Sequence, residues 1–296
     1  MNQLADVAGN YQHFNFGENA AKGLNPDFLT AQNAKPSPMP HQDFRTPRLY
    51  LDHALAAGVE LALDAGQTNY LRNVLRLKAG DQVLVFNGRD GEWRAALAER
   101  GKRALSLTVA AQSRPQTQPL DMHYWFAPLK HARLDYMVQK AVEMGVGRLQ
   151  PVLTQHGQVA RLNLERMRAN AIEAAEQCGI LTLPEIAAPL RLERAIAERD
   201  PARLLVFCDE DAEVADPLAA LARARLDPGG RAPPLAVLIG PEGGFAPAER
   251  AALNGLANVV RLSLGPRILR ADTAAVAALA LVQSVLGDWR PVEPAP

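Results

Sequence analysis

Four charged side chains stand inside two glycine- and proline-rich stretches near the end of the chain. Glu242 lies in Gly240-Pro-Glu-Gly-Gly244, and Arg267, Arg270 and Asp272 lie in Gly265-Pro-Arg-Ile-Leu-Arg-Ala-Asp-Thr273. Gly243 and Gly244 carry no Cβ, so backbone amides can approach a ligand closely there. Carboxylates and guanidinium groups beside such a turn are the types that move protons and stabilise charge. Neither stretch is a dinucleotide fingerprint, since no Gly-x-Gly-x-x-Gly follows a strand, and no loop ends in Gly-Lys-Ser/Thr. One such turn alone reads as a tight turn. Two of them, both charged, point to a site.

The elements that must position these loops are short and apolar. Leu235-Ala-Val-Leu-Ile239 enters the first loop and Val259-Val-Arg-Leu-Ser-Leu264 enters the second, and both read as buried parallel strands. Ala248 to Leu256 reads as the crossover helix between them, with Pro247 suited to its first turn. Loops at the ends of parallel strands form the crevice where open α/β sheets bind ligands. A further buried strand, Leu204-Leu-Val-Phe-Cys208, ends at Asp209-Glu-Asp211. The final helix, Thr273 to Leu286, is apolar nearly all round, which a helix covered on more than one side requires.

Leu238-Ile-Gly-Pro-Glu-Gly-Gly244 together with Leu264-Gly-Pro-Arg-Ile-Leu-Arg-Ala-Asp-Thr-Ala274 resembles the RsmE-type 16S rRNA uridine-N3 methyltransferases of the SPOUT class. The resemblance spans about residues 45–290. It implies an α/β fold with a SPOUT-type trefoil-knotted parallel sheet in the C-terminal domain and a small N-terminal PUA-like β-barrel that holds RNA. It also implies S-adenosyl-L-methionine (SAM) as cofactor, a homodimer, and 16S rRNA or the small ribosomal subunit as partner. The end of the Leu204–Cys208 strand becomes a third wall of the cofactor crevice. Residue by residue, it implies a cofactor grip by Leu238, Gly240, Pro241, Gly243, Gly244, Leu264, Gly265, Pro266, Leu269 and Thr273.

In that scheme Arg270 stabilises charge developing on a uracil oxygen, and Glu242 or Asp272 accepts or relays the N3 proton. Asp272 reads equally as a cap of the last helix, and Glu242 as a residue that fixes its turn. Two positions depart from the family pattern by replacing an arginine: His156 after the strand Gly147–Leu153, and Ile180 after the helix Leu164–Gln177. They favour one alternative, an RNA-binding relic without activity; the other is a methyltransferase of the same fold acting on another nucleotide.

The remainder of the chain divides simply. Residues 1–44 lack periodicity and contain Lys35-Pro-Ser-Pro-Met-Pro40, so a disordered extension is expected. Met39 offers an alternative translation start. Residues 45–115 alternate as short strands with Gly turns, as a small barrel does, around a helix predicted over Thr68 to Leu77. They hold eleven Lys/Arg against seven Asp/Glu in a chain whose 32 of each cancel overall. Arg45, Arg48, Arg72 and Arg76 are the candidates for RNA phosphate contacts, the last two four residues apart on one helix face. Ser113 to Pro119 is expected to link to a second domain, 116–290, with 291–296 as a tail. Lys140 and Glu143 read as a surface pair. Two cysteines, Cys178 and Cys208, give neither a metal cluster nor a disulfide framework. The N-terminus has no signal pattern and no membrane span is apparent, so a cytoplasmic protein is expected.

Overall fold

The computed structural model describes residues 43, 45–100, 104–158, 161–212, 216–224 and 233–289. The expected extension lies outside the described residues apart from Asp43, as do Met39, most of the loop before Leu235, and the tail.

The N-terminal part is a five-stranded sheet in the order β1-β3-β4-β5-β2. Its strands are β1 (Arg48–Tyr50), β2 (Glu60–Ala62), β3 (Gln82–Phe86), β4 (Glu92–Arg100) and β5 (Ala104–Arg114). Period-two alternation puts Leu105, Leu107 and Val109 of β5 into one core with Leu49, Leu61, Val83, Val85 and Leu97. The helix departs from the pattern predicted for it. It begins early as α1 (Ala65–Asn69), because Asp64 and Gln67 form a reciprocal capping box. It then widens to a π turn over Tyr70–Val74. Arg76 lies beyond that turn at φ 57°, so Arg72 and Arg76 do not share one helical face. Strand β5 also runs into the expected linker. Buried Glu92 holds its end, accepting from Ser113 Oγ at 2.8 Å and from Arg114 Nη2 at 2.6 Å.

A sheet of seven parallel strands makes up the rest, in the order β12-β10-β11-β6-β7-β8, with β9 pairing β7. These are β6 (Met122–Phe126), β7 (Arg148–Leu153), β8 (Glu185–Ile186), β9 (Leu190–Arg191), β10 (Leu204–Cys208), β11 (Leu235–Ile239) and β12 (Val259–Leu262). The helices are α2 (His131–Glu143), α3 (Leu164–Cys178), α4 (Leu192–Glu198), α5 (Pro217–Arg223), α6 (Pro247–Asn254) and α7 (Ala271–Leu286). One sheet face, with Tyr124, Val206 and Val237, packs on residues of α2, α3, α5 and α7. The other, with Trp125, Phe207 and Leu238, packs on residues of α4 and α6. All five residues of β11 are therefore buried, and the strand reads as one apolar run. Strand β10 lies between β11 and β12 and pairs with both. The chain leaving β11 thus passes over β10 before it forms β12, and all three strands end on the same edge.

The two parts are joined by polar contacts at the end of α3. Gly179 closes that helix at φ 65°, and its carbonyl accepts from Arg114 Nη2 at 2.9 Å. Glu176 accepts the Tyr50 amide at 2.8 Å. Among the described residues, no helix is long and apolar enough to cross a membrane.

Candidate active site

The loops that follow β10, β11 and β12 enclose one cavity of about 510 Å³. It is walled by Cys208–Glu210, by Ile239–Glu242 with Gly244 and Phe245, and by Leu262–Ala271. The first loop turns tightly, with the Gly244 amide donating to the Pro241 carbonyl at 2.9 Å and Gly244 at φ 70°. Gly240 is required by packing. A Cβ there would lie 2.5 Å from Phe245 Cε2, and that ring is set edge-on against Phe207 at 5.0 Å.

One wall of the cavity carries a charged cluster that sequence reasoning did not single out. Asp209 is only 3% exposed. It holds Arg250 of α6 at 3.1 Å and Arg261 of β12 at 2.6 Å. Arg250 also reaches Asp211 at 2.5 Å. A carboxylate so buried is sustained by two guanidinium groups, and the cluster fastens the end of β10 to its neighbours. Its members lie 41 and 52 residues apart, so no local spacing announces it. The one signal is the acidic run at a strand end. Burial, with the Asp209 carboxylate beside it, pushes the Cys208 thiol up to about 12, which leaves it protonated and inert.

Most of the residues anticipated from sequence meet here. Gly240, Pro241, Gly244, Leu264, Gly265, Pro266 and Leu269 line the cavity, as do Glu242 and Arg270. Arg270 is the exposed N-cap residue of α7, and among the described residues no carboxylate pairs with it. Glu242 is half exposed and pairs with Arg133 of α2 at 3.1 Å.

Five anticipated residues are placed differently. Leu238 points into the core of the second sheet face, because side chains alternate along a strand. Gly243 turns away from the cavity toward His156. Asp272 and Thr273 lie in the first turn of α7, off the cavity wall, with the Asp272 carboxylate accepting the Thr273 amide at 3.1 Å. Arg48 is a correction of chemistry. It is 7% exposed and donates to Glu92 at 3.0 Å and to the Asp43 carbonyl at 2.8 Å, so it braces the N-terminal sheet and is closed to phosphates. Arg45 and Arg76 are exposed and Arg72 half-buried. Lys140 and Glu143 form the expected pair at 2.7 Å, and Ile180 packs against the main core.

The cavity suits a cofactor with an apolar face, polar edges and a positive charge. Its volume falls in the range of ~300–1,000 Å³ usual for such sites. Ile239, Leu262, Leu264 and Leu269 supply apolar walls, and Glu210 supplies a carboxylate. Gly265, at φ 99°, has no atom within 4 Å of where a Cβ would stand. Backbone groups of both loops are left to read polar edges.

Comparison with known proteins gives a consistent result. Residues 116–283 match the model of an RNA methyltransferase domain, and residues 63–110 that of an RNA methyltransferase PUA domain. The chain is 30% identical over 238 residues to ribosomal RNA small subunit methyltransferase E of Rickettsia conorii, covering 80% of this chain and 94% of that protein. It is 30% identical over 273 residues to the Synechocystis protein of the same name, covering 87% and 86%. Among solved structures, a Legionella pneumophila methyltransferase in complex with SAM superimposes with a TM-score of 0.70 at 29% identity, covering 81% of this chain and 98% of that one. A small subunit methyltransferase E from Neisseria gonorrhoeae bound to SAM gives 0.70 at 26% identity, covering 83% and 100%.

Proposed function

The chain belongs to the RNA methyltransferase family matched over residues 116–283, and we propose from this that it transfers a methyl group from SAM to N3 of a uridine in small-subunit rRNA. The fold is α/β and SPOUT-type with a PUA-like N-terminal part, and the enzyme is a SAM-dependent rRNA methyltransferase. The observation that carries the finer reading is the crevice itself, two Gly-Pro loops with the Arg270 guanidinium, which no carboxylate among the described residues pairs, on its wall. SAM supplies an electrophilic methyl carbon on a sulfonium. The loops hold the reactants in line, and such fixation removes about 7–11 kcal/mol of a barrier. Arg270 stabilises negative charge that develops on a uracil carbonyl oxygen as N3 loses its proton. Glu242, the half-exposed carboxylate on the other Gly-Pro loop of the cavity, takes that proton or relays it to water. Asp272, bonded to its own helix turn, serves α7.

Arg45, Arg72 and Arg76 are the proposed phosphate contacts of the N-terminal part, together with its basic excess. A homodimer is proposed through α7, where Val276, Ala277, Ala280 and Leu281 remain half-exposed after the helix has packed on its own sheet. The substrate places the reaction in the cytoplasm. The test is methyl transfer from labelled SAM to isolated ribosomal subunits lacking the modification. Label in the RNA of the small subunit supports the reading, and label confined to large-subunit RNA overturns it.

A further inference from the structure

His156 follows β7, two strands away from β11, yet it reaches the first loop of the crevice. Its Nδ1 lies 3.2 Å from the Gly243 carbonyl oxygen and 3.2 Å from that of Gly244. A carbonyl oxygen only accepts, so Nδ1 carries a proton and donates to both as a three-centre bond. The neighbouring residue anchors this approach. The Gln155 amide donates to Glu249 Oε1 at 2.8 Å, while Glu249 Oε2 accepts the Ala246 amide at 2.9 Å. Glu249 is buried, so one carboxylate at the start of α6 holds both loops. Gly243 permits the closeness, since a Cβ there would stand 3.3 Å from His156 Cβ.

The consequence lies on the other side of the peptide. In a planar trans peptide the C=O and N–H point in opposite directions. Fixing the Gly244 carbonyl on His156 therefore turns the Phe245 N–H away from His156. Phe245 lines the cavity, His156 does not, and among the described residues the Phe245 N–H donates to no acceptor.

We propose that His156 is a positioning residue of the cofactor site: its Nδ1–H sets the Pro241–Phe245 turn and presents the Phe245 amide to SAM. The inference rests on the assignment of this cavity to SAM. The test compares the full-length chain with His156→Leu, which fills the volume without donating, and with His156→Asn, whose amide nitrogen takes the place of Nδ1. Calorimetric titration with SAM, kinetics against SAM and RNA, and melting temperature are read for all three. The leucine variant weakens SAM binding and raises the KM for SAM about three- to tenfold, the worth of one neutral hydrogen bond. The KM for RNA and the melting temperature stay as in the wild type, and the asparagine variant recovers most of the affinity. Unchanged SAM affinity in the leucine variant, a loss confined to the KM for RNA, or an asparagine variant as weak as the leucine one overturns the proposal. No SAM binding by the wild-type chain overturns instead the cofactor assignment beneath it.

Discussion

Replacing Gly240 by alanine tests whether the crevice is set by packing from behind. The added Cβ would lie 2.5, 2.8 and 3.1 Å from Cε2, Cζ and Cδ2 of Phe245. Carbon atoms rest at about 3.5–4.0 Å, so the nearest pair must separate by about 1 Å. The ring cannot withdraw, because it is buried against Phe207 in the core that contains Trp125, Val152 and Leu253. The loop moves instead, and with it the Pro241–Gly244 turn on the cavity wall. Overpacking of this kind costs about 1–3 kcal/mol, which for a chain of this size lowers the melting temperature by roughly 2–12 °C. Affinity for SAM falls by about tenfold or more, since a displacement near 1 Å removes the hydrogen bonds of the turn. Calorimetry and thermal unfolding read both effects. Gly265→Ala is the comparison for the packing cost alone, since Gly265 itself lines the cavity. Its φ of 99° imposes strain, but the new Cβ meets no atom within 4 Å, so its cost is backbone strain of about 1–2 kcal/mol. A Gly240→Ala protein with wild-type melting and wild-type SAM affinity would refute the reasoning.

Arg270→Ala abolishes most methyl transfer, by about 10²–10³ in kcat, while calorimetry shows SAM binding retained; near-normal turnover would remove Arg270 from the mechanism. Asp209→Asn strips the charge that holds Arg250 and Arg261 and destabilises the fold by about 3–5 kcal/mol, measured as a lower urea midpoint. Burial pushes the Glu92 carboxyl up, but hydrogen bonds from Arg114, Ser113 and Arg48 outweigh it and hold it below the ordinary value. Its contribution to stability is therefore fully present above the ordinary glutamate value and lost as pH falls below it toward the lowered one, so the urea midpoint drops on acidification below about pH 4.5, and less so in Glu92→Gln.

The strands that carry the site are legible because their surroundings leave a mark on them. Leu204–Cys208 and Leu235–Ile239 lie between covered faces and read as unbroken apolar runs. Pro247 announces its helix because first-turn chemistry is local, and α6 begins at that residue. Order in the sheet is different. That β10 separates β11 from β12 is a long-range pairing with no local trace. The same holds for Arg48, whose burial depends on Glu92, 44 residues away. Contiguity of a motif also overreaches: Leu238 and Gly243 stand inside it, yet strand alternation and the turn point them elsewhere. His156 stands out in the sequence as a departure from the family pattern. Its contact with Gly243 and Gly244 needs the fold, because 87 and 88 residues separate the partners.

The central claim is the atom that receives the methyl group. Small subunits lacking the modification would be incubated with the chain and labelled SAM, and the RNA digested to nucleosides for mass spectrometry. Label in 3-methyluridine, accompanied by a new block to reverse transcription at one site because N3 lies on the pairing edge, is the predicted result. Label in any other nucleoside, or none in small-subunit RNA from a chain that binds SAM, would contradict it.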